Sequence, residues 1–362
     1  MSSYLLAIGT RKGLFLATSQ DRKAWSIERA PLASDEVYAV GIDTRRATPR
    51  LLASSVSNHW GPSVAHSDDL GKSWQEPEQA PVRYPEWTGS ALKRVWQLQP
   101  GRDSEPDVVW AGAEPGALFR SDDGGVSFEL MDGLWNHPQR AKWMPGGGGL
   151  CLHTVLPHPT DPHRITVAVS TGGVYQTTDG GTSWSPSNQG IRADFRPGPA
   201  PEFGQCVHKV AMHPGAPDQL FAQNHGGVYR SDDGGRQWVS IADGLPSDFG
   251  FPMVAHPHRP GSVYVFPLAG DFDRRPPEER ARVYRTDDAG ASWQPLSHGL
   301  PQEGFHPAVL RDSMCTDGGT PAGMYFGTRS GAVFASSDEG ESWHELARYL
   351  PDVLSVRAAV LD

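Results

Sequence analysis

Tyr38, Arg94, Asp312 and Arg357 occupy matched positions in successive segments of this chain, each five residues before the end of a strand-like run. Guanidinium groups bind carboxylates and phosphates through paired hydrogen bonds. Arg94 and Arg357, flanking Tyr38, therefore compose a clamp for an anionic group. Glu114 is placed to activate the Tyr38 phenol, and Asp312 to act as general acid. That is the equipment of a glycosidase in which tyrosine replaces the usual carboxylate nucleophile. A register shifted by one residue would put Arg311 in the ring instead of its neighbour. Trp60, in an adjoining loop, offers a flat face to a sugar or aryl ligand.

A second constellation uses different chemistry. Cys151-Leu152-His153 and Cys206-Val207-His208 repeat one pattern in consecutive segments, and His225 follows in a loop. The imidazoles of His153, His208 and His225, with Asp271 or water, suit zinc or another divalent ion. Such an ion would polarise a carbonyl or activate water. The chain carries 14 histidines, several at His-Pro turns, so no single one is diagnostic. The cysteines also read as small buried apolar residues. The run Gly146–Gly149 lacks a following Lys-Ser/Thr and a helix, and reads as a loop passing close to another backbone.

What positions these groups is a repeat. An octapeptide with the frame Ser/Thr-x-Asp-x-Gly-x-x-aromatic occurs six times. Its acids are Asp69, Asp123, Asp179, Asp233, Asp288 and Asp338, and its aromatics (Trp74, Phe128, Trp184, Trp238, Trp293, Trp343) fall 50 to 56 residues apart. The Asp can accept bonds from its own loop, the Gly adopts a conformation other residues avoid, and the aromatic anchors a hairpin. A degenerate seventh copy spans Thr18–Trp25 and reads as lacking the Asp and Gly. Each repeat holds four strand-like runs, for example 206–212, 219–223, 227–231 and 237–241, separated by Pro and Gly. Four strands repeated seven times predict an all-β, seven-bladed β-propeller with four antiparallel strands per blade. The last run, 353–361, has no octapeptide after it. It is expected to join 4–8, 13–17 and 25–28 in the N-terminal blade, closing the ring and removing free edges. Residues 1–362 read as one domain. The irregular stretches 77–91, 135–149, 190–204 and 270–279 read as loops over one face.

Composition agrees. Gly 41 and Pro 32 favour many turns and short strands. A net charge of −10 disfavours nucleic acid as a partner. No apolar run reaches the roughly 18 residues of a membrane span. The three cysteines (Cys151, Cys206, Cys315) form no disulfide framework, and no basic-then-apolar leader opens the chain, so a cytoplasmic location is expected.

The octapeptides resemble the Asp-box, or BNR repeat, of sialidases and related propellers, over nearly the whole chain. The resemblance implies that the six aspartates are structural, at the hairpin between third and fourth strands and away from the ligand. It implies a sialidase-like hydrolase acting on a small anionic or glycosidic ligand at the channel mouth. The Arg-Ile-Pro tripeptide of sialidases is absent, and seven blades exceed their six. Two alternatives stay open: a metal-dependent hydrolase or lyase using the His cluster, and a non-catalytic scaffold binding a ligand or protein.

Overall fold

A computed structural model describes residues 3–32, 35–198 and 201–361. Seven antiparallel sheets follow one another around a ring. The first combines Val353–Leu361 with Ser3–Thr10, Gly13–Ser19 and Ser26–Arg29. Its innermost strand comes from the C-terminus, paired from Ser3↔Leu361 to Thr10↔Val353. The expected closure of the ring is therefore present. The second blade (Glu36–Asp43, Arg50–Ser57, Gly61–Ser67) has three strands, its fourth reduced to the bridge His66↔Gln75. The other five blades have four strands each, and begin at Arg94, Leu152, Val207, Phe249 and Met314. No helix of the described residues is long and apolar enough to cross a membrane.

The core lies between blades. Tyr264 and Phe266 of the sixth blade pack with Met324, Phe326 and Phe334 of the seventh. Ala39, Leu52 and Val64 of the second meet Val95, Leu98 and Phe119 of the third. Alternation along each strand aims residues at both neighbouring blades, so both faces are apolar. Each fully buried large side chain contributes about 1.5–3 kcal/mol through removal from water.

Each octapeptide closes the hairpin between third and fourth strands, and its side chains form a closed circuit. In the third blade the Ser121 hydroxyl donates to Asp123 Oδ1 (2.7 Å) and accepts from Gly125 N (2.8 Å). Asp123 also accepts from the backbone of Val126 and Ser127, both at 2.9 Å, and from the Ser127 hydroxyl at 2.6 Å. Gly125 has φ +93, a region closed to most side chains. The opening Ser or Thr is thus as necessary as the Asp. The degenerate copy corrects the sequence reading. There Asp21 accepts from Ser19 Oγ and from the backbone of Lys23 and Ala24, while Arg22 takes the left-handed conformation at φ 60. The Asp is kept, and the turn is one residue shorter.

Asp123→Ala is expected to lower stability by about 1 kcal/mol, because the lost bonds lie at an exposed turn. Urea denaturation of the variant beside Ser121→Ala checks this, since both break the same circuit. Hydroxyl and amide donors also hold Asp69 and Asp288 down to about 2, against 3.8 for a free aspartate. A depressed carboxyl contributes stability that is complete above 3.8 and drains away as pH falls toward about 2.

Candidate functional site

One device recurs at the inner end of the blades. In six of the seven innermost strands the pairing register shifts near the start, by one residue in five of them and across two in the sixth blade. The residues left out of the ladder are Tyr38, Trp96, His153, His208, Leu354 and the Phe251–Pro252 step. A bulge breaks the strict alternation of side chains and re-aims the extra one. Five of these positions line a cavity of 840 Å³ at the channel mouth: Tyr38, Trp96, His208, Phe251 and Leu354. Loops add Met144–Gly149, Phe195, His225, Asp271 and Arg274, drawn from three of the irregular stretches and the turn of the fifth blade.

Six arginines face this cavity (Arg11, Arg94, Arg196, Arg274, Arg311, Arg329) against three acids, Glu114, Asp271 and Asp312. Most of the arginines are already engaged. Arg11 pairs with Glu36 at 2.7 Å, Arg329 with Asp352 at 2.8 Å and Arg274 with Asp271 at 3.1 Å. Arg196 donates to the Lys142 carbonyl at 2.6 Å. Arg94 lies 3.7 Å from Glu114, and its Nε has no hydrogen-bond partner. Arg311 contacts Cys151 Sγ at 3.2 Å and stands over the Trp96 ring at 5.2 Å. Among the described residues neither Arg311 nor Arg196 has a carboxylate partner, but Arg196 is tied to a backbone carbonyl, so Arg311 carries the most available positive charge in the cavity.

The proposed nucleophile and acid are placed differently from the expectation. Tyr38 lines the cavity, but it is packed against Trp96 (5.2 Å between rings) and covered by Arg94 at 4.4 Å. Burial raises its phenol above the ordinary value, with Arg94 opposing weakly. The carboxylate that affects it is Glu36, not Glu114. Its ring is thus flanked by the Trp96 ring and the Arg94 guanidinium, and Glu114 is not bonded to its hydroxyl. Glu114 instead accepts from Trp96 Nε1 at 3.1 Å. Gly149, at φ +98, presses against it, and a methyl there would run into the Glu114 carboxylate. The glycine run therefore passes close to a side chain rather than cradling phosphate.

Asp312 is buried and bonded to Lys209 Nζ at 2.8 Å and to Arg357 at 2.7 Å. Burial would raise its carboxyl, but the two cations outweigh burial and leave it below the ordinary value. A general acid must hold its proton near the working pH, and Asp312 does not. Arg357 stands behind Asp312 and does not line the cavity. The Arg94–Arg357 clamp is thus not assembled, and Arg311 occupies the cavity position. Trp60 is 92% exposed and outside the cavity. Trp135 and Trp143 are buried, Trp143 donating to the Tyr175 hydroxyl at 2.9 Å.

The histidines divide. His153 is fully buried, with Nε2 on the Val207 carbonyl (2.9 Å) and Nδ1 on Thr154 Oγ1 (3.0 Å), and it is outside the cavity. Both nitrogens are occupied, so it is not free to ligate. Cys206, His208 and His225 do converge, with ligand atoms within 4.8 Å of one another. Burial pushes His208 down to about 3 and Cys206 up to about 11. Sequence reasoning ranked Cys206 as packing and overlooked Trp96. The Cys-x-His pattern was the available signal for the first. For Trp96 there was none, because the bulge that exposes it leaves no mark in composition.

No family model matches the chain. It is similar to a protein of Neosartorya fischeri named as an oligoxyloglucan-reducing end-specific xyloglucanase, at 26% identity over 234 residues, 63% of this chain and 24% of the relative. The chain spans about a quarter of the length of the curated relatives it matches. Among solved structures it resembles a GH74 enzyme of Niastella koreensis (TM-score 0.60, 14% identity, 93% of this chain and 54% of that one). It also resembles YCF48 from Cyanidioschyzon merolae (TM-score 0.56, 13% identity, 90% and 89%). These likenesses show a propeller fold, with weak sequence similarity to xyloglucan-cleaving enzymes.

Proposed function

We propose that this propeller is a glycoside hydrolase-like protein that takes an anionic sugar, such as a uronic acid or another carboxylated unit, at its channel mouth. The observation that carries this is the excess of six guanidinium groups over three carboxylates in one cavity of a chain whose net charge is −10. A positive recess in an acidic protein concentrates anions and repels cations. Arg311 and Arg94 would hold the acidic group, while Trp96 and Phe251 would offer ring faces to the sugar. The similarity to xyloglucanases supports a carbohydrate over other anions.

Hydrolysis of a glycosidic bond needs a proton donor and a second carboxylate. With Asp312 committed to Lys209 and Arg357, Glu114 and Asp271 are the remaining acids of the cavity. We assign proton transfer to Glu114. The test is a panel of aryl uronides and neutral aryl glycosides. Turnover is expected for the charged set, and Glu114→Gln should lower kcat by about 10²–10⁴ with KM retained. Equal binding of neutral and charged glycosides would remove the reading. The covered Tyr38 ring and the engagement of Asp312 by two cations favour a second reading, a binding module without turnover. Tight binding of uronides with no cleavage would select it.

A further inference from the structure

We infer that Cys206, His208 and His225 bind one divalent transition-metal ion, zinc by the nature of the donors, with a fourth coordination position open to the 840 Å³ cavity. This goes beyond the sugar reading, since none of its three ligands is assigned to the sugar and its test reads metal content rather than glycoside binding.

Three features support it. The Cys206 Sγ and His208 Nε2 atoms are already 3.7 Å apart. Donors around a tetrahedral zinc, with bonds of about 2.0–2.3 Å, lie about 3.5 Å from one another. Closing the set from 4.8 Å thus asks a movement of about 1 Å, within reach of the half-buried His225 ring. Second, His208 donates Nδ1–H to the Gly250 carbonyl at 2.6 Å. That bond leaves the Nε2 lone pair toward Cys206, the outer-shell support that metal-bound histidines characteristically have. Third, the backbone binds the two halves of the site together, because His225 N donates to the Cys206 carbonyl at 2.8 Å. The ligands therefore come from one blade and need no rearrangement of the ring.

The charge balance identifies the deciding ligand. Arg274 and Arg311 share the cavity, and their positive charge would oppose a dication held by neutral imidazoles alone. Metal binding converts the Cys206 thiol to thiolate, releasing one proton to solvent and supplying the negative charge. Asp271, with Oδ2 3.9 Å from His225 Nε2, adds a second negative group nearby. Three protein ligands with an open position are the pattern of a site that takes water or a substrate oxygen. The bland account is that these residues only pack with Phe249 and Phe251, whose rings lie 4.7 to 5.5 Å from His208 and His225.

The experiment uses the full chain, untagged and reduced, loaded with zinc and dialysed, with metal measured by mass spectrometry. Titration with cobalt(II) then reports the donors. One equivalent of zinc per chain is expected, with tetrahedral cobalt bands and a thiolate-to-cobalt charge-transfer band. Cys206→Ser should abolish that band, and Cys151→Ser should keep it. His225→Ala, changed at a loop and checked for folding by circular dichroism, should weaken zinc binding by about 100-fold or more. Substoichiometric metal after loading, or a charge-transfer band that survives Cys206→Ser, overturns the assignment.

Discussion

Asp312→Asn should destabilise the propeller by about 3–5 kcal/mol, the usual effect of removing one member of a buried ion pair. The carboxylate sits between Lys209 (2.8 Å) and Arg357 (2.7 Å), and it also aligns the seventh blade with the first. Without it two cations face each other with no counter-charge. The existing arrangement is itself not strongly favourable. Burial outweighs the pull of Asp312 on Lys209, whose ammonium is held below its ordinary value despite the same bond. The loss on substitution is therefore mostly the penalty of stranding Lys209 and Arg357. Lys209→Met should cost much less, because Arg357 still answers Asp312. Urea denaturation of both variants compares them directly, and a loss below about 1 kcal/mol for Asp312→Asn would contradict the burial of the triad. The pH sign follows from the depressed carboxyl. Its contribution is complete above 3.8, the free aspartate value, and declines as pH falls through the lowered one. Asp312 should thus lose its contribution only on the acid side of 3.8, and stability near neutral pH should be flat with respect to it.

Arg311→Ala is expected to weaken binding of a uronide or of inorganic phosphate by about 10- to 100-fold, the range for losing one or two hydrogen bonds to a charged group. Arg311 is singled out because, of the two cavity guanidiniums without a carboxylate partner among the described residues, Arg196 is tied to the Lys142 carbonyl and Arg311 touches only Cys151 Sγ and the Trp96 ring. Its charge is available, whereas Arg329 is committed to Asp352 and Arg11 to Glu36. Arg329→Ala should therefore change affinity by less than about 3-fold, within the small effects of exposed ion pairs. Isothermal titration at two ionic strengths separates charge from contact. The wild type should lose affinity as salt rises, and Arg311→Ala should show a shallower dependence. Arg311→Lys should recover part of the affinity, because the charge returns without the paired geometry. Equal losses at Arg311 and Arg329 would mean that the cavity acts through its diffuse field alone.

The repeat made the architecture legible. Octapeptides at steady spacing dictated hairpins, and the unpaired final run dictated how the ring closes. The mouth was legible in part. Tyr38 and Arg94 were placed by counting back from strand ends, and the structure puts both on the cavity. The same count selected Arg357 where Leu354 is the bulged residue, because it assumed a common register in all seven strands. It selected Asp312 for acid chemistry because two cations, Lys209 from the fifth blade and Arg357 from the first, meet it only in three dimensions. His153 and His208 sit in matching Cys-x-His settings, yet one is tied at both nitrogens outside the cavity and the other, also buried, lines it. What separates them is the neighbouring blade, about which a single repeat carries no information.

The residues that step out of the ladder give the protein an unusual kind of freedom. Tyr38 and Trp96 are surplus to the strands that carry them and stand outside the apolar clusters, so replacing either leaves the alternation of its neighbours, and hence the seams between blades, untouched. Binding preference and scaffold integrity are thereby written in separate letters of the same strand. A descendant of this chain could acquire a new ligand through a handful of exchanges around the rim, with little penalty to folding.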